Sequence, residues 1–331
     1  MSEADGRSLW ELADLVTPMA IRVAATLRLA DHIAAGTCTP DALAAAVHAE
    51  PDALGRLLVH LATAGVVVRA DDTYALTELG EQLRSERPEQ FRDWFDLEGS
   101  IGRSDLAFTE LLHTVRTGEA AFPRHFGRPF WEDLAADDAR QASFDRLMGG
   151  RLARDLSGIA AAYPWGETGH VVDVGGGDGS LLIAVLRQHS GLRGTVVDLP
   201  AVAPGAEAAI AAAGLADRAD VRAGSFFDAD VLPPGAGAYV LSGVMHNWSD
   251  EDATRILRRC ADAAGDTGVV LIADHISDEY NTEGDLRMLA YFRGCERPLT
   301  RLRDVVAAAG LTAGDLLPAG SRSLLVLRPT R

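Results

Sequence analysis

Lysine is absent from the chain, so all 31 basic residues are arginine, a usage that points to coding bias more than to function. Set against 48 acids, they leave a formal net charge of −17. That balance argues against a nucleic-acid or anionic-membrane partner. Cysteine is scarce: Cys38, Cys260 and Cys295 form an odd, scattered set. They give neither a disulfide framework nor metal-ligand spacing, and they fit a reducing cytoplasm. No signal-like segment and no long apolar run is read, so we expect a cytoplasmic location and no membrane partner. There is no internal repeat and no low-complexity tract. What remains is 331 residues, 47% of them apolar, enough to bury more than one core. The first half is helix-rich, while strands and helices alternate in the second.

One further absence is informative. The stretch Val171-Val172-Asp173-Val174-Gly175-Gly176-Gly177-Asp178-Gly179-Ser180 reads as a buried strand, a glycine turn and the start of a helix. A dinucleotide fingerprint G-x-G-x-x-G would need glycine where Ser180 stands. The pattern present is Asp173-x-Gly175-x-Gly177-x-Gly179, and a second acid, Asp198, ends the next apolar run. Glycines there allow positive φ and close approach to a ligand, and the following helix aims its unpaired N–H groups at the same place. An acid about twenty residues on is placed to bind a ribose diol. D-x-G-x-G-x-G with such an acid resembles the S-adenosylmethionine site of a Rossmann-type methyltransferase. The alternatives are an NAD site or a glycine-rich turn without a ligand.

Along the chain, residues 8 to 34 show helical apolar spacing, with Pro18 the expected break into two helices. Thr39-Pro40-Asp41 is a helix start. Helices over 41–48 and 51–64, then a hairpin over 66–77, make a winged-helix pattern. Winged helices often bind DNA, but Glu50, Asp52, Asp71 and Asp72 flank this one, so it reads as scaffold. Residues 78 to 165 read as helical and hold most of the aromatics, including Phe122, Phe126, Phe130 and Trp131. These rings are ordinary core or the lining of a pocket for a flat ligand. Strands are expected at 171–174, 194–198, 219–223, 238–242, 268–273 and 323–327, with helices near 180–188, 204–213, 251–264 and 299–309. This makes a doubly wound sheet.

Ligands of such sheets meet the carboxyl ends of the strands. Two stretches lie there. In the first, Ser225 could hydrogen-bond an adenine edge and Phe226 cover its face, the alternative being a buried Phe pair. In the second, Val244-Met245-His246-Asn247-Trp248-Ser249-Asp250-Glu251 follows the fourth strand and sets His246 at its edge.

With V-x-H-x-W-x-D-E the chain resembles the small-molecule O-methyltransferases shared by plant phenolic and bacterial polyketide pathways. The likeness is greatest to the bacterial naphthoate and anthraquinone O-methyltransferases of enediyne and related pathways. It continues at Leu286-Arg287-Met288-Leu289 and at Gly294-Cys295-Glu296-Arg297, where the family usually reads G-K-E-R. It covers nearly the whole chain, including residues 17–28.

The resemblance implies an α/β fold: a Rossmann-type class I methyltransferase domain with an N-terminal winged-helix dimerisation domain. The boundaries expected are 1–100 for dimerisation, 101–165 for a helical linker and pocket segment, and 166–331 for the catalytic domain. It further implies a homodimeric, metal-independent enzyme that methylates a phenolic hydroxyl of a polycyclic aromatic natural product. By position, His246 matches the general base, with Asp274 and Glu296 orienting it. Asp173, Gly175, Gly177, Asp198, Leu199, Ser225, Phe226 and Ser242 match cofactor contacts. Met288, Leu289 and Phe292 match the pocket wall, to which we add Met148 and Asn247. Three positions depart from the pattern. Asn247 replaces the usual aspartate, Cys295 the usual lysine, and Asp274 a longer glutamate. Relatives of this family also catalyse decarboxylation, hydroxylation or pericyclic steps, so a non-methylating reaction is the alternative.

Overall fold

The computed structural model of the chain describes residues 8–228, 230–277 and 281–330. They fall into two units. One is formed by the described residues up to Leu106 together with Asp137–Leu147, the other by Ala107–Ala136 and those described from Met148 onward. The segment 101–165 is therefore shared between the two.

In the first unit, helices Val16–Thr26, Leu29–Ala34, Pro40–Ala46 and Pro51–Thr63 precede an antiparallel pair, Val67–Ala70 with Thr73–Leu76. Leu43, Leu58 and Leu61 are buried at its core. Pro18 does not break the helical run. It lies in the first turn of Val16–Thr26, where a missing N–H costs nothing. The interruptions fall elsewhere. Asp14 accepts the N–H groups of Val16 and Thr17 at 2.9 Å each, and Arg28 has φ +54°.

The second unit is built on a seven-stranded sheet. Its strands are labelled here β1 (His170–Val174), β2 (Arg193–Asp198), β3 (Ala219–Ala223), β4 (Ala238–Ser242), β5 (Val269–Asp274), β6 (Leu311–Ala319) and β7 (Arg322–Pro329). The spatial order is β3-β2-β1-β4-β5-β7-β6. The first five strands are parallel, and the β6–β7 hairpin adds antiparallel to β5. The order reverses between β1 and β4, the switch point at which ligands of open α/β sheets bind.

Alternation along each strand explains why these segments read as continuous apolar runs. Val172, Leu241, Ile272 and Leu325 join one core with helices α4 (Asp250–Ala264) and α6 (Leu299–Ala308). Their neighbours Val171, Val240, Leu271 and Leu324 join the opposite core with α1 (Leu156–Ala162), α2 (Ser180–Gln188) and α3 (Ala203–Ala212). Strands covered on both faces have no polar side to show.

The structure has two elements absent from the sequence reading. The edge strand β6 carries Gly314 and Pro318, is mostly exposed and has a register irregularity between Ala313 and Leu316, so it lacks a strand signature. Helix α5 (Thr282–Phe292) starts at Asn281, whose side chain accepts the Gly284 N–H, and has glycine in its first turn.

The hairpin is pinned to α1 by charge. Arg322 is 9% exposed, and its Nε lies 3.3 Å from Asp155 Oδ2. Asp155 Oδ1 accepts the Ser321 N–H at 2.9 Å and its hydroxyl at 2.8 Å. Arg322→Ala would strand a buried carboxylate, so it should lower the unfolding free energy by about 3–5 kcal/mol in denaturant titration. A loss of less than about 1 kcal/mol would assign the pair no more weight than a surface contact.

Candidate active site

The carboxyl ends of β1 and β2 form a cradle. Gly175, Gly177 and Gly179 have φ of +70°, +58° and +75°, so the turn after β1 winds through the left-handed region. The Gly175 N–H is held by Val197 O at 2.8 Å, which seats the turn on β2. Asp198, at the end of β2, accepts the Gly177 N–H at 2.8 Å and the Leu199 N–H at 2.7 Å. Phe226 borders the same turn, because a Cβ on Gly175 would lie 3.5 Å from its ring. Its ring packs 5.1 Å from Phe227 and 5.6 Å from Trp248. Ser225 uses its hydroxyl to accept the Phe227 N–H at 3.2 Å. Ser242, at the end of β4, accepts a hydrogen bond from Arg322 Nη1 at 3.2 Å.

Asp173 is the outlier of the cradle. It is 1% exposed, and neither carboxylate oxygen has a hydrogen-bond partner among the described residues. Burial, with the nearby Asp198 charge, pushes its pKa up to about 7. An orphaned buried acid among left-handed glycines is a group waiting for a cationic or donor-bearing ligand.

Beyond the cradle, His246 sits in a single turn of 3₁₀ helix, Met245–Asn247, just after β4. Its Nδ1 lies 3.0 Å from Oδ2 of Asp274, the last residue of β5. The neighbouring parallel strands β4 and β5 thus deliver the pair from their adjacent carboxyl ends. Asp274 Oδ1 is occupied by the His275 N–H at 2.9 Å. Burial opposes charge on both members, but their mutual attraction prevails. The imidazole is raised above its ordinary pKa, with Glu296 assisting and Arg151 opposing. The Asp274 carboxyl is held well below the usual carboxylate range by His246, with Arg322 and the His275 N–H adding to the pull. With Nδ1–H committed to Asp274, Nε2 is left as the acceptor of a proton.

Glu296 stands differently. It makes no hydrogen bond to the imidazole among the described residues, and burial raises its own pKa despite the pull of His246. It shares with His246, Asp274 and Cys295 the lining of a cavity of about 20 Å³, room for one water-sized group. Burial pushes the Cys295 thiol up, which leaves it an inert wall.

Of the expected pocket wall, Met288, Leu289 and Phe292 share α5, and Asn247 adjoins the imidazole in sequence. Phe292 stacks on Trp131 at 5.2 Å and 19°, and meets Phe130 edge-on at 4.6 Å. Met148 is half-buried on the helix Asp138–Ala153. Two groups carry no role in the sequence reading: Arg322 behind Asp274 and Ser242, and Arg297 beneath the His246 turn. An arginine reads as a solvated charge until the fold shows it buried.

A family model described as an O-methyltransferase domain matches residues 108–312, and one described as an O-methyltransferase dimerisation domain matches residues 10–85. The chain is 53% identical over 317 residues to a 2,7-dihydroxy-5-methyl-1-naphthoate 7-O-methyltransferase of Streptomyces carzinostaticus, covering 95% of each. It is 43% identical over 326 residues to an aclacinomycin 10-hydroxylase of Streptomyces purpurascens, covering 96% of this chain and 87% of that protein. Among solved structures it is similar to an O-methyltransferase from neocarzinostatin biosynthesis in complex with S-adenosylmethionine and 2-hydroxy-5-methyl naphthoic acid. That match has a TM-score of 0.95 at 50% identity and covers 98% of this chain and all of that one.

The orphaned Asp173 and the left-handed glycine turn fit S-adenosylmethionine, whose sulfonium and ammonium are cationic. A group whose pKa is raised on folding contributes stability below its unfolded value, and that contribution is lost as the pH rises through the folded value. For cofactor-free protein the melting temperature should therefore fall as the pH climbs from about 4 to about 7 and level off above it, and Asp173→Asn should escape this fall while binding S-adenosylmethionine more weakly. Parallel melting curves for the two proteins across that range would rule out the raised pKa.

Proposed function

This chain belongs to the S-adenosylmethionine-dependent O-methyltransferases, and from that premise we propose that it methylates a phenolic hydroxyl of a naphthoate-like polycyclic acceptor in natural-product biosynthesis, with His246 as general base. The observation that carries this reading is the 3.0 Å contact of His246 Nδ1 with Asp274 at the carboxyl ends of β4 and β5, the sheet edge where ligands of this fold bind. Bound S-adenosylmethionine supplies a methyl group activated by its sulfonium. The protein then has two tasks: to hold the acceptor oxygen in line and to take its proton. A phenol with a pKa of about 10 is mostly protonated near neutral pH. His246 Nε2 accepts that proton as the new C–O bond forms, and Asp274 stabilises the resulting imidazolium. Positioning supplies the larger share, roughly 7–11 kcal/mol when the reacting atoms are held in near-attack geometry.

Asp198 and Leu199 are assigned to the cofactor ribose side of the cradle, Ser225, Phe226 and Ser242 to its far wall, and Asp173, Gly175 and Gly177 to its floor. Met148, Asn247, Met288, Leu289 and Phe292 are assigned to the acceptor. The Phe292–Trp131 stack gives a flat ring an aromatic surface to lie against. Glu296 acts on His246 through its charge and not through a direct bond. The functional form is a homodimer, supported by the dimerisation-domain match and by Trp10, Leu12, Leu15 and Val16, which are exposed within it.

His246→Ala should lower turnover roughly 10²- to 10⁴-fold with little change in S-adenosylmethionine affinity. A variant with full activity would remove the base. Asp198→Ala should show the reverse pattern, weakening S-adenosylmethionine binding roughly 10- to 100-fold. A second reading, a non-methylating reaction, is favoured by the likeness to the aclacinomycin 10-hydroxylase. Methyl-labelled S-adenosylmethionine offered with 2,7-dihydroxy-5-methyl-1-naphthoate, anthraquinones and simple phenols separates the two. Label in a product supports methyl transfer, whereas an altered acceptor without label supports the second reading.

A further inference from the structure

Arg297 is among the most enclosed charges of the chain, with its side chain only 2% exposed. It is spent entirely on one place. Nε donates to Asp250 Oδ1 at 2.8 Å, Nη1 to Met245 O at 2.7 Å, and Nη2 to Trp248 O at 2.6 Å. Met245 and Trp248 bracket His246, so the guanidinium spans the turn that carries the imidazole. Nη1 also reaches back to Cys295 O at 3.3 Å. The segment 294–297 is thereby bound to the same turn, and Glu296 is part of it. Contact is close along its length: a Cβ on Gly294 would fall 2.2 Å from His246 O, so only glycine lets the two backbones meet. Asp250 anchors the far end. It starts α4 and is held a second time by Arg301, whose Nε lies 3.0 Å from Asp250 Oδ2.

We propose that Arg297 is a positioning residue that fixes the His246 turn against β5 and against Glu296, setting the imidazole where it meets both Asp274 and the acceptor hydroxyl. The proposal rests on the reading of His246 as the base. Acceptors at Asp250, Met245 and Trp248, one for each guanidinium nitrogen, suit the fixed fork of arginine, and the single ammonium of lysine cannot serve them together. Arg297 touches neither the imidazole nor Asp274 among the described hydrogen bonds, so its action is through the backbone.

Arg297→Lys keeps the charge and removes the fork. The imidazole is faced by Asp274 from β5, Glu296 from the 294–297 segment and Arg151 from the helix Asp138–Ala153. Loosening the turn weakens the Asp274 contact, so the His246 pKa, read by NMR titration of labelled histidine, should move down toward its ordinary value of about 6.5. With 2,7-dihydroxy-5-methyl-1-naphthoate as acceptor, the single-turnover rate should fall roughly 10- to 100-fold, with S-adenosylmethionine affinity held within about twofold. Arg301→Gln, which removes an arm that is half exposed, should leave both readings near those of the unaltered protein.

A general loss of folded protein would scale the rate without moving the imidazole titration. An unmoved pKa in Arg297→Lys therefore overturns the proposal, whatever happens to the rate. Should that variant fail to fold, Asp250→Asn keeps Arg297 and removes its charged anchor. It must show the same downward movement in smaller degree, and an unchanged titration there is equally fatal. Failure of the underlying reading looks different. His246→Ala would then keep its turnover, while the titration of Arg297→Lys could still move.

Discussion

The hydrogen bond between His246 and Asp274 is the contact on which the second unit converges. It joins the residue just beyond one parallel strand to the last residue of the next, so it exists only because β4 and β5 are neighbours in register, with Ser242 opposite Ala273. Everything that aligns those two strands contributes to it. Their inner residues are packed on both faces, by α4 and α6 on one side and by α1 and α2 on the other. The sheet order that brings β1 beside β4 places the glycine cradle next to the same edge. Cofactor cradle and imidazole are thus two products of one topological switch.

Arginine, the only basic residue the chain possesses besides histidine, holds this edge from behind. Arg322 reaches Asp155, Ser242 and Ala273 O, and its charge helps keep Asp274 ionised. Arg297 fastens the His246 turn, and Arg151 lies within electrostatic reach of the acids. Arg297 and Arg322 are buried cations whose desolvation is offset by specific acceptors, an arrangement expensive to break and hard to improve by substitution. Asp173 is the counter-example, a buried acid with no ion pair among the described residues and a pKa lifted to about 7. Its discomfort in the cofactor-free protein is the structural trace of a ligand that brings positive charge.

Much of this was legible in the sequence because the responsible signals are local. Strands β1, β2, β4 and β5 are largely apolar runs closed by glycine or acid, and the glycine pattern after β1 is read residue by residue. His246 is identifiable from its place after β4, and Asp274 from its match to the family position that orients the histidine. What escaped is what depends on distant partners or on edges. Strand β6 is exposed and interrupted by Gly314 and Pro318, and it becomes a strand only because β7 pairs with it. Pro18 looked like a break, yet it sits harmlessly in a first turn, while the real interruptions lie at Asp14, which accepts the Val16 and Thr17 N–H groups, and at the left-handed Arg28. The roles of Arg297 and Arg322 are set by acceptors tens of residues away, and no spacing rule marks them.

The central claim is that an imidazole made more basic by Asp274 takes the proton of the acceptor hydroxyl. Its most direct test is the pH dependence of single-turnover methyl transfer by the unaltered enzyme at saturating S-adenosylmethionine. The rate should rise with pH through one group whose apparent pKa lies above the ordinary histidine value of about 6.5. A flat profile, or an inflection in the carboxylate range, would contradict it.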